Sequence, residues 1–492
     1  MKKRTIKEKR EERDKLSGEI TVYLALSMTI LLALVLSVIE SARVNTIRFQ
    51  IECAADMSLY SALAEYHREL LEQYDLFFVD VSYGSSRTGL DQTQWHLKEY
   101  LDYNLDSMRE LILPGARDLL ALSAKDAEVV SVSLATDEDC LVLKSQAVSY
   151  MKERTGISLA EEILGNMQYV QQNHMEEGIE EERERNRREI KERDGKRIQT
   201  ADGEWKEIHI DDPVGHIPVR DSGLAYLVTK GSGGVSGSRI EPSAYVSSRV
   251  CNQGDGLAPE RQAAEGIADE VLFGEYLLTH LSRYTDRKEG TRLQYELEYV
   301  LGGKENDAEN LKYVLNRILL IREAANYLYL QQDSVKQTQA QVAALSVSAV
   351  LFMPELAEIL KEGILLAWAY TESVNDIKIL LEKGRVPLQK GVEDWKMGFI
   401  DMLHYETALT GGSGCEGLSY EDYLRIFLLM GNRREKAVRF ADVVEMDIRG
   451  TVGNEAFRMD HCLESMEVHF AAESRYGYEY EIQKRYGYEM LE

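Results

Sequence analysis

Ile20 to Ile39 is an unbroken run of twenty residues without a charge, ITVYLALSMTILLALVLSVI. At the standard rise a helix of that length spans about 30 Å, the hydrocarbon thickness of a bilayer. Beyond it, Val44, Ile47, Ile51, Ala55, Leu59, Ala62, Tyr66 and Leu70 recur at helical spacing, and neither glycine nor proline occurs between Gly18 and Gly84. The pattern reads as one helix from Glu19 to about Tyr74, roughly 84 Å long, an apolar span continued as an amphipathic stalk; an ordinary anchor joined to a separate first helix fits the same spacing. Glu40 and Arg43, three residues apart where the apolar run ends, are expected to pair at the membrane edge. A cleaved secretory signal has an apolar stretch of about 7–15 residues closed by small side chains. Here twenty are followed by Glu40, Ser41, Ala42 and Arg43, so the prediction is an uncleaved single-pass anchor.

Further along, 76–83 (LFFVDVSY) and 128–134 (EVVSVSL) carry the alternation of strands, a small sheet supporting the stalk's exit. Asp91 to Leu113 reads as a helix with Trp95, Leu97, Leu101, Leu105, Met108 and Leu111 on its apolar side. Ser158 and Glu161 form a capping box opening a helix that is expected to continue into 180–193. Twelve of those last fourteen residues are charged, which predicts a solvated arm or hinge. After an irregular Gly/Ser-rich region, helical periodicity returns from Gln262 to about Lys383. Within it Val342–Met353 is strongly apolar but too short to span a bilayer, and is expected to be a core helix. Gly411–Gly417 is a joint, and 418–430 a helix capped by Ser419. The sequence RYGYE occurs at 475–479 and again at 485–489, an edge strand or hairpin.

These elements define a mainly α fold with small β elements (α+β): one N-terminal transmembrane helix extended into a stalk, then a large helical ectodomain. The expected divisions are a leader at 1–18, the span at 19–40, the stalk at 41–75 and an α+β lobe with its charged arm at 76–200. The irregular region follows at 201–261, a helical core lobe at 262–410 and a C-terminal α/β segment at 411–492.

Charge adds a direction. The net charge is -26, yet residues 1–19 hold eight basic and five acidic side chains, a local +3, which leaves -29 for residues 40–492. A basic flank predicts a cytoplasmic N-terminus with the acidic bulk outside the cell membrane. A strongly acidic body also excludes nonspecific nucleic-acid binding. Seven prolines in 492 residues fit a helical chain. Five scattered cysteines, with no CxxC pair, give neither a disulfide framework nor a zinc module.

Candidate chemistry is sparse. The nine histidines form no HExxH, the Gly-rich stretch 231–238 matches neither G-x-S-x-G nor G-x-G-x-x-G, and Gly302-Gly303-Lys304 is followed by Glu305 where a phosphate loop needs Ser or Thr. No catalytic residue, metal site, cofactor or small-molecule substrate is predicted, and the expectation is a protein that is not an enzyme. Glu296, Glu298, Arg322, Glu323 and Asn326 are polar residues of apolar helices. Glu298 and Arg322 are expected to pair across them as a structural ion pair.

Gly18 before an apolar run, followed by VIESARVNTIRFQIECAADMSLYSALAEY, resembles the N-terminal region of TadE/TadG-like pilin-related proteins of the Tad (Flp-type) pilus system. Glu40, Arg43 and Ala54-Ala55-Asp56 match that family's order of an acidic residue, an arginine and an Ala-Ala-Asp stretch. Pilin precursors of this kind carry glutamate five residues after the cleavage glycine. Here that position is Tyr23, while Glu19 follows Gly18 directly, so cleavage between Gly18 and Glu19 and retention of an uncleaved anchor both stay open. The stretches 68–80, 293–330, 365–390 and 417–429 resemble an uncharacterised ectodomain family associated with Gram-positive Tad clusters. The resemblance implies a membrane-anchored, pilin-like structural or assembly component whose partners are the membrane and other Tad-system proteins. The alternative is a single-pass receptor or sensor subunit whose helical extracytoplasmic domain binds a ligand or partner.

Overall fold

The computed structural model describes residues 2–85, 89–106, 120–154, 158–199, 205–213, 224–229, 234–257, 264–411 and 416–488, without the side chains of 2–19, 153, 158–162, 198–199 and 206. The chain begins with helix α1 (Lys2–Leu63), then α2 (Arg68–Tyr74), strand β1 (Val79–Asp80), α3 (Asp91–Leu105) and β2 (Leu122–Leu134). Next come α4 (Asp137–Arg154), α5 (Ser158–Gln172), α6 (Gly178–Arg193), the short hairpin β3 (Arg197–Gln199) and β4 (Trp205–Glu207), and α7 (Leu224–Thr229). The helical part continues with α8 (Ile267–His280), α9 (Glu296–Gly302), α10 (Asp307–Gln332), α11 (Ser334–Val350) and α12 (Ala357–Leu381). Then α13 (Tyr405–Ala408), α14 (Tyr420–Met430) and α15 (Arg433–Arg449) lead into β5 (Cys462–Ser474) and β6 (Glu479–Gly487). This is the expected mainly α fold with small β elements.

Two hydrophobic clusters organise it. In the first, α1 and α3 lie on one antiparallel sheet in which β5 is central: it pairs β2 on one side, and β1 and β6 on the other. Ile47, Ile51, Ala54, Ala55, Leu59 and Leu63 of α1 are buried there against Val129, Val132, Met466, Val468 and Phe470. The apolar stripe beyond the uncharged run is thus a packing face. The run itself is exposed throughout its large side chains, and it is one helical segment long and apolar enough to cross a membrane. The two β-prone stretches do not pair with each other; each pairs with β5, which supplies the strand between them.

The expected single helix to Tyr74 ends at Leu63. The His67 amide leaves helical pairing to donate to the Phe78 carbonyl at 2.8 Å, and the chain turns before resuming as α2. Glu65, in that turn, accepts from Tyr83 Oη at 2.6 Å, from Tyr100 Oη, and faces His96 Nδ1 at 2.9 Å. The turn is therefore tied to α3. Met108 and Leu111 of the expected longer α3, and the capping side chains of α5, fall outside the described residues.

The second cluster is the helical body, with α10 and α12 at its centre and α8, α14 and α15 around them. Two expectations are corrected here. The charged segment 180–193 is not a solvated arm. Along α6 the positions Ile179, Arg183, Asn186 and Ile190 recur at spacings of four, three and four, a narrow stripe that lies against α10 and α12. Asn186 Nδ2 donates to the Ile359 carbonyl at 2.8 Å, and Arg183 meets the fully buried Glu323 at 3.0 Å. Nor does α5 run on into α6, since turns occupy 173–177. The apolar segment 342–353 is likewise not a core helix. In α11 the buried positions are Ala340, Ala344 and Ser348, small residues that let it approach α12 closely. Val342, Leu345, Val347, Val350 and Phe352 are exposed instead.

Candidate functional site

The RYGYE repeats acquire a role in the seam between α1 and β6. The first forms the turn of the β5–β6 hairpin and the second ends β6. Even-numbered residues of β6 face α1, while Glu479, Glu481 and Gln483 are exposed. The partners on α1 from Glu52 to Leu63 (Glu52, Asp56, Tyr60 and Leu63) lie about one helical turn apart. The Arg43 guanidinium sits 3.9 Å above the Tyr476 ring and 5.6 Å from that of Tyr478. Tyr480 Oη donates to Glu52 at 2.9 Å, Lys484 pairs with Asp56 at 3.0 Å, Tyr60 and Tyr486 share a hydroxyl contact, and Tyr488 Oη donates to the Leu63 carbonyl. Glu40 and Arg43 stand 3.8 Å apart at the start of this seam. Ala54 and Ala55 are buried in it, and Asp56 is its ion-pair partner. Gly18 and Glu19 lie in α1; the Glu19 side chain is outside the described residues.

Arg322 and Glu298 are both fully buried, but they are not partners. Arg322 Nε donates to Asp376 Oδ2 at 3.0 Å and Nη1 to the Pro387 carbonyl at 2.8 Å. Lys390 completes the cluster, 2.6 Å from Asp376 Oδ1 and in contact with Glu372, while Asn326 bridges Asp376 and Ser373. Glu372 in turn accepts from the amides of Lys396 and Met397. Two cations therefore face two carboxylates, and together they tie the segment after α12 to the α10–α12 pair. Burial alone would raise the Asp376 carboxyl; Lys390 and Arg322 outweigh it and hold that group below its ordinary value. The acid facing Arg322 lies 54 residues away in sequence. Helical spacing within α10 carries no information about that partner.

Glu298 instead accepts from the Tyr284 amide at 2.9 Å and from Tyr420 Oη at 2.7 Å. Burial pushes its carboxyl up to about 7 despite those two hydrogen bonds. Burial also raises Asp442 to about 6, against donation from Ser247 and Tyr299. Burial raises Glu296 and Asp447 as well; the Asp447 charge raises Glu296 further, while a hydrogen bond from Glu296 pulls Asp447 back down. A carboxyl raised on folding stabilises the folded state fully below its unfolded value near 4.3 and stops doing so as pH rises through the folded value. Urea stability of the full chain in detergent should therefore fall between pH 5 and 8, by about 2–3 kcal/mol through Glu298 alone. Glu298→Gln should flatten that decline; an unchanged slope would remove Glu298 as its cause.

Two cavities open near the body's surface. One, of about 640 Å³, is apolar and lies between α11, α12 and the segment 399–405, bounded by Val347, Leu360, Ile364, Tyr370 and Met402. The other, of about 550 Å³, is polar and is lined by Thr136, Cys140, Cys251, Arg249 and Arg434 among others. Arg249 is already held by Glu445 and Asp460, and Arg434 by Asp139. Among the described residues no group of three or more His, Cys, Asp or Glu side chains is arranged to hold a metal ion.

Residues 203–474 match DUF5702, described as a family of unknown function. That match covers more than half of the chain, and the protein belongs to this family. It takes in the whole helical body from α8 onward and β5, and leaves out α1 and β6. No curated protein and no solved structure matches the chain.

Proposed function

We propose that this protein is a non-enzymatic, single-pass membrane protein, a pilin-like structural or assembly component of a Tad-type pilus or secretion system. In this reading the N-terminus is cytoplasmic and the body extracytoplasmic. One observation carries it: α1 is a single helix whose residues 20–39 are apolar and exposed, and whose stretch from Ile47 to Leu63 is packed on an antiparallel sheet. A helix built so can lie among lipids or neighbouring apolar helices while holding a folded body at a fixed angle. The seam from Arg43 to Leu63 supplies that rigidity, because its polar pairs and its apolar contacts lie on the same element. The basic leader and the residues shared with TadE/TadG-like proteins supply the direction and the system. Affinity purification from membranes should recover other Tad-system proteins, and deletion should impair pili or secretion. Recovery of none of them, with pili and secretion intact, would contradict the proposal.

The apolar cavity beside α11 favours a second reading, a receptor or sensor subunit whose helical body takes an apolar ligand or partner. That reading predicts ligand-dependent behaviour in the absence of any Tad component.

A further inference from the structure

Cys140 and Cys251 are 111 residues apart in sequence yet line one cavity. Their segments are fastened to each other just below it. Thr136 Oγ1 donates to the Asn252 carbonyl at 3.2 Å, the Gly254 amide to Asp137 Oδ1 at 2.8 Å, and the Asp255 amide to the Val132 carbonyl at 3.1 Å. A Cβ at Gly254 would stand 2.4 Å from the Val132 carbonyl oxygen, so only glycine permits this approach. Cys140 ends a run of three non-glycine residues in left-handed backbone, with φ of 50° at Glu138, 59° at Asp139 and 68° at Cys140. Such a run is held only where the surrounding structure imposes it, and it recurs at functional positions. Both sulfurs are free thiols. Burial raises both thiols above their ordinary value.

We propose that Cys140 and Cys251 are a dithiol site that closes to a disulfide across this cavity when it meets an external disulfide of the glutathione class. Cys251, half-buried, is the accessible member and attacks first. Its thiolate bonds one sulfur of the external disulfide and expels the other as a thiolate. The Cys140 thiolate then attacks the Cys251 sulfur, forming the internal bond and releasing the second external thiolate. The protons of the two cysteines end on the two released thiols; two cysteine sulfurs are oxidised and one external disulfide is reduced. The Cα positions need to approach within about 7 Å for such a bond, a distance the shared hydrogen bonds of 132–137 and 252–255 favour. The site does not depend on which side of a membrane the body occupies.

The test uses the full chain in detergent, treated with oxidised glutathione, blocked with N-ethylmaleimide and mapped by mass spectrometry. The expected product is a Cys140–Cys251 linked peptide, two hydrogens lighter than the two thiol peptides, which dithiothreitol abolishes. Cys251→Ala should lose the linked peptide and leave Cys140 without a glutathione adduct, because the first attack is gone. A stable glutathione adduct on Cys251 with Cys140 still free would overturn the proposal. So would a disulfide joining either residue to Cys53, Cys415 or Cys462.

Discussion

Arg322→Ala destabilises the helical body by about 3–5 kcal/mol, measured as urea unfolding of the full chain in detergent. The reason is the asymmetry of buried charge. Arg322, Asp376, Glu372 and Lys390 are almost wholly excluded from water, and two positive groups balance two negative ones. Removing one cation leaves Lys390 alone between two carboxylates, and leaves the Pro387 carbonyl without its donor. The excess charge has no route to solvent short of opening the segment after α12. Replacing Arg322 and Asp376 together by apolar residues of similar volume should cost much less than the sum of the single changes, since no charge is then stranded. A cost below about 1 kcal/mol for Arg322→Ala would show that the cluster is hydrated and not a fastening.

The second large effect concerns the apolar run of α1. Ile30→Arg combined with Leu34→Arg places two charges near the middle of the apolar run, at a cost to insertion of about 5–7 kcal/mol. Neither side chain is buried in the folded protein, so the double variant should fold as well as the original. After alkaline carbonate extraction the original chain should stay with the membrane pellet and the variant should appear in the supernatant. An equal distribution of the two would mean that residues 20–39 do not span a bilayer.

Those two predictions rest on different kinds of information in the chain. The apolar run, the stripe of α1 and the alternation of tyrosines in β6 are local periodicities, and each was legible because its spacing repeats within a few residues. The stripe even named its buried residues, since Ile47, Ile51, Ala55 and Leu59 do pack on the sheet. What the spacing could not supply was the other side of each contact. Arg322 belongs to an apolar helix, but its acid comes from α12. Segment 180–193 looked solvated because its twelve charges obscure a stripe of three positions, Arg183, Asn186 and Ile190, on the face toward α10 and α12. Segment 342–353 looked like core because apolar content was weighed without size. Ala344 and Ser348 take the interface, and Val342, Leu345, Val347, Val350 and Phe352 are turned out. The proximity of Cys140 and Cys251 is of the same kind, created by a loop folding back on a glycine.

In the proposed function α1 works as an assembly element and not merely as a tether. A photo-activated cross-linking residue placed at Leu31, exposed in the middle of the apolar run, tests that in living cells. An assembly element should give cross-linked products with the membrane helices of pilin-like or other Tad-system proteins. Products confined to lipid, or to proteins outside that system, would contradict it.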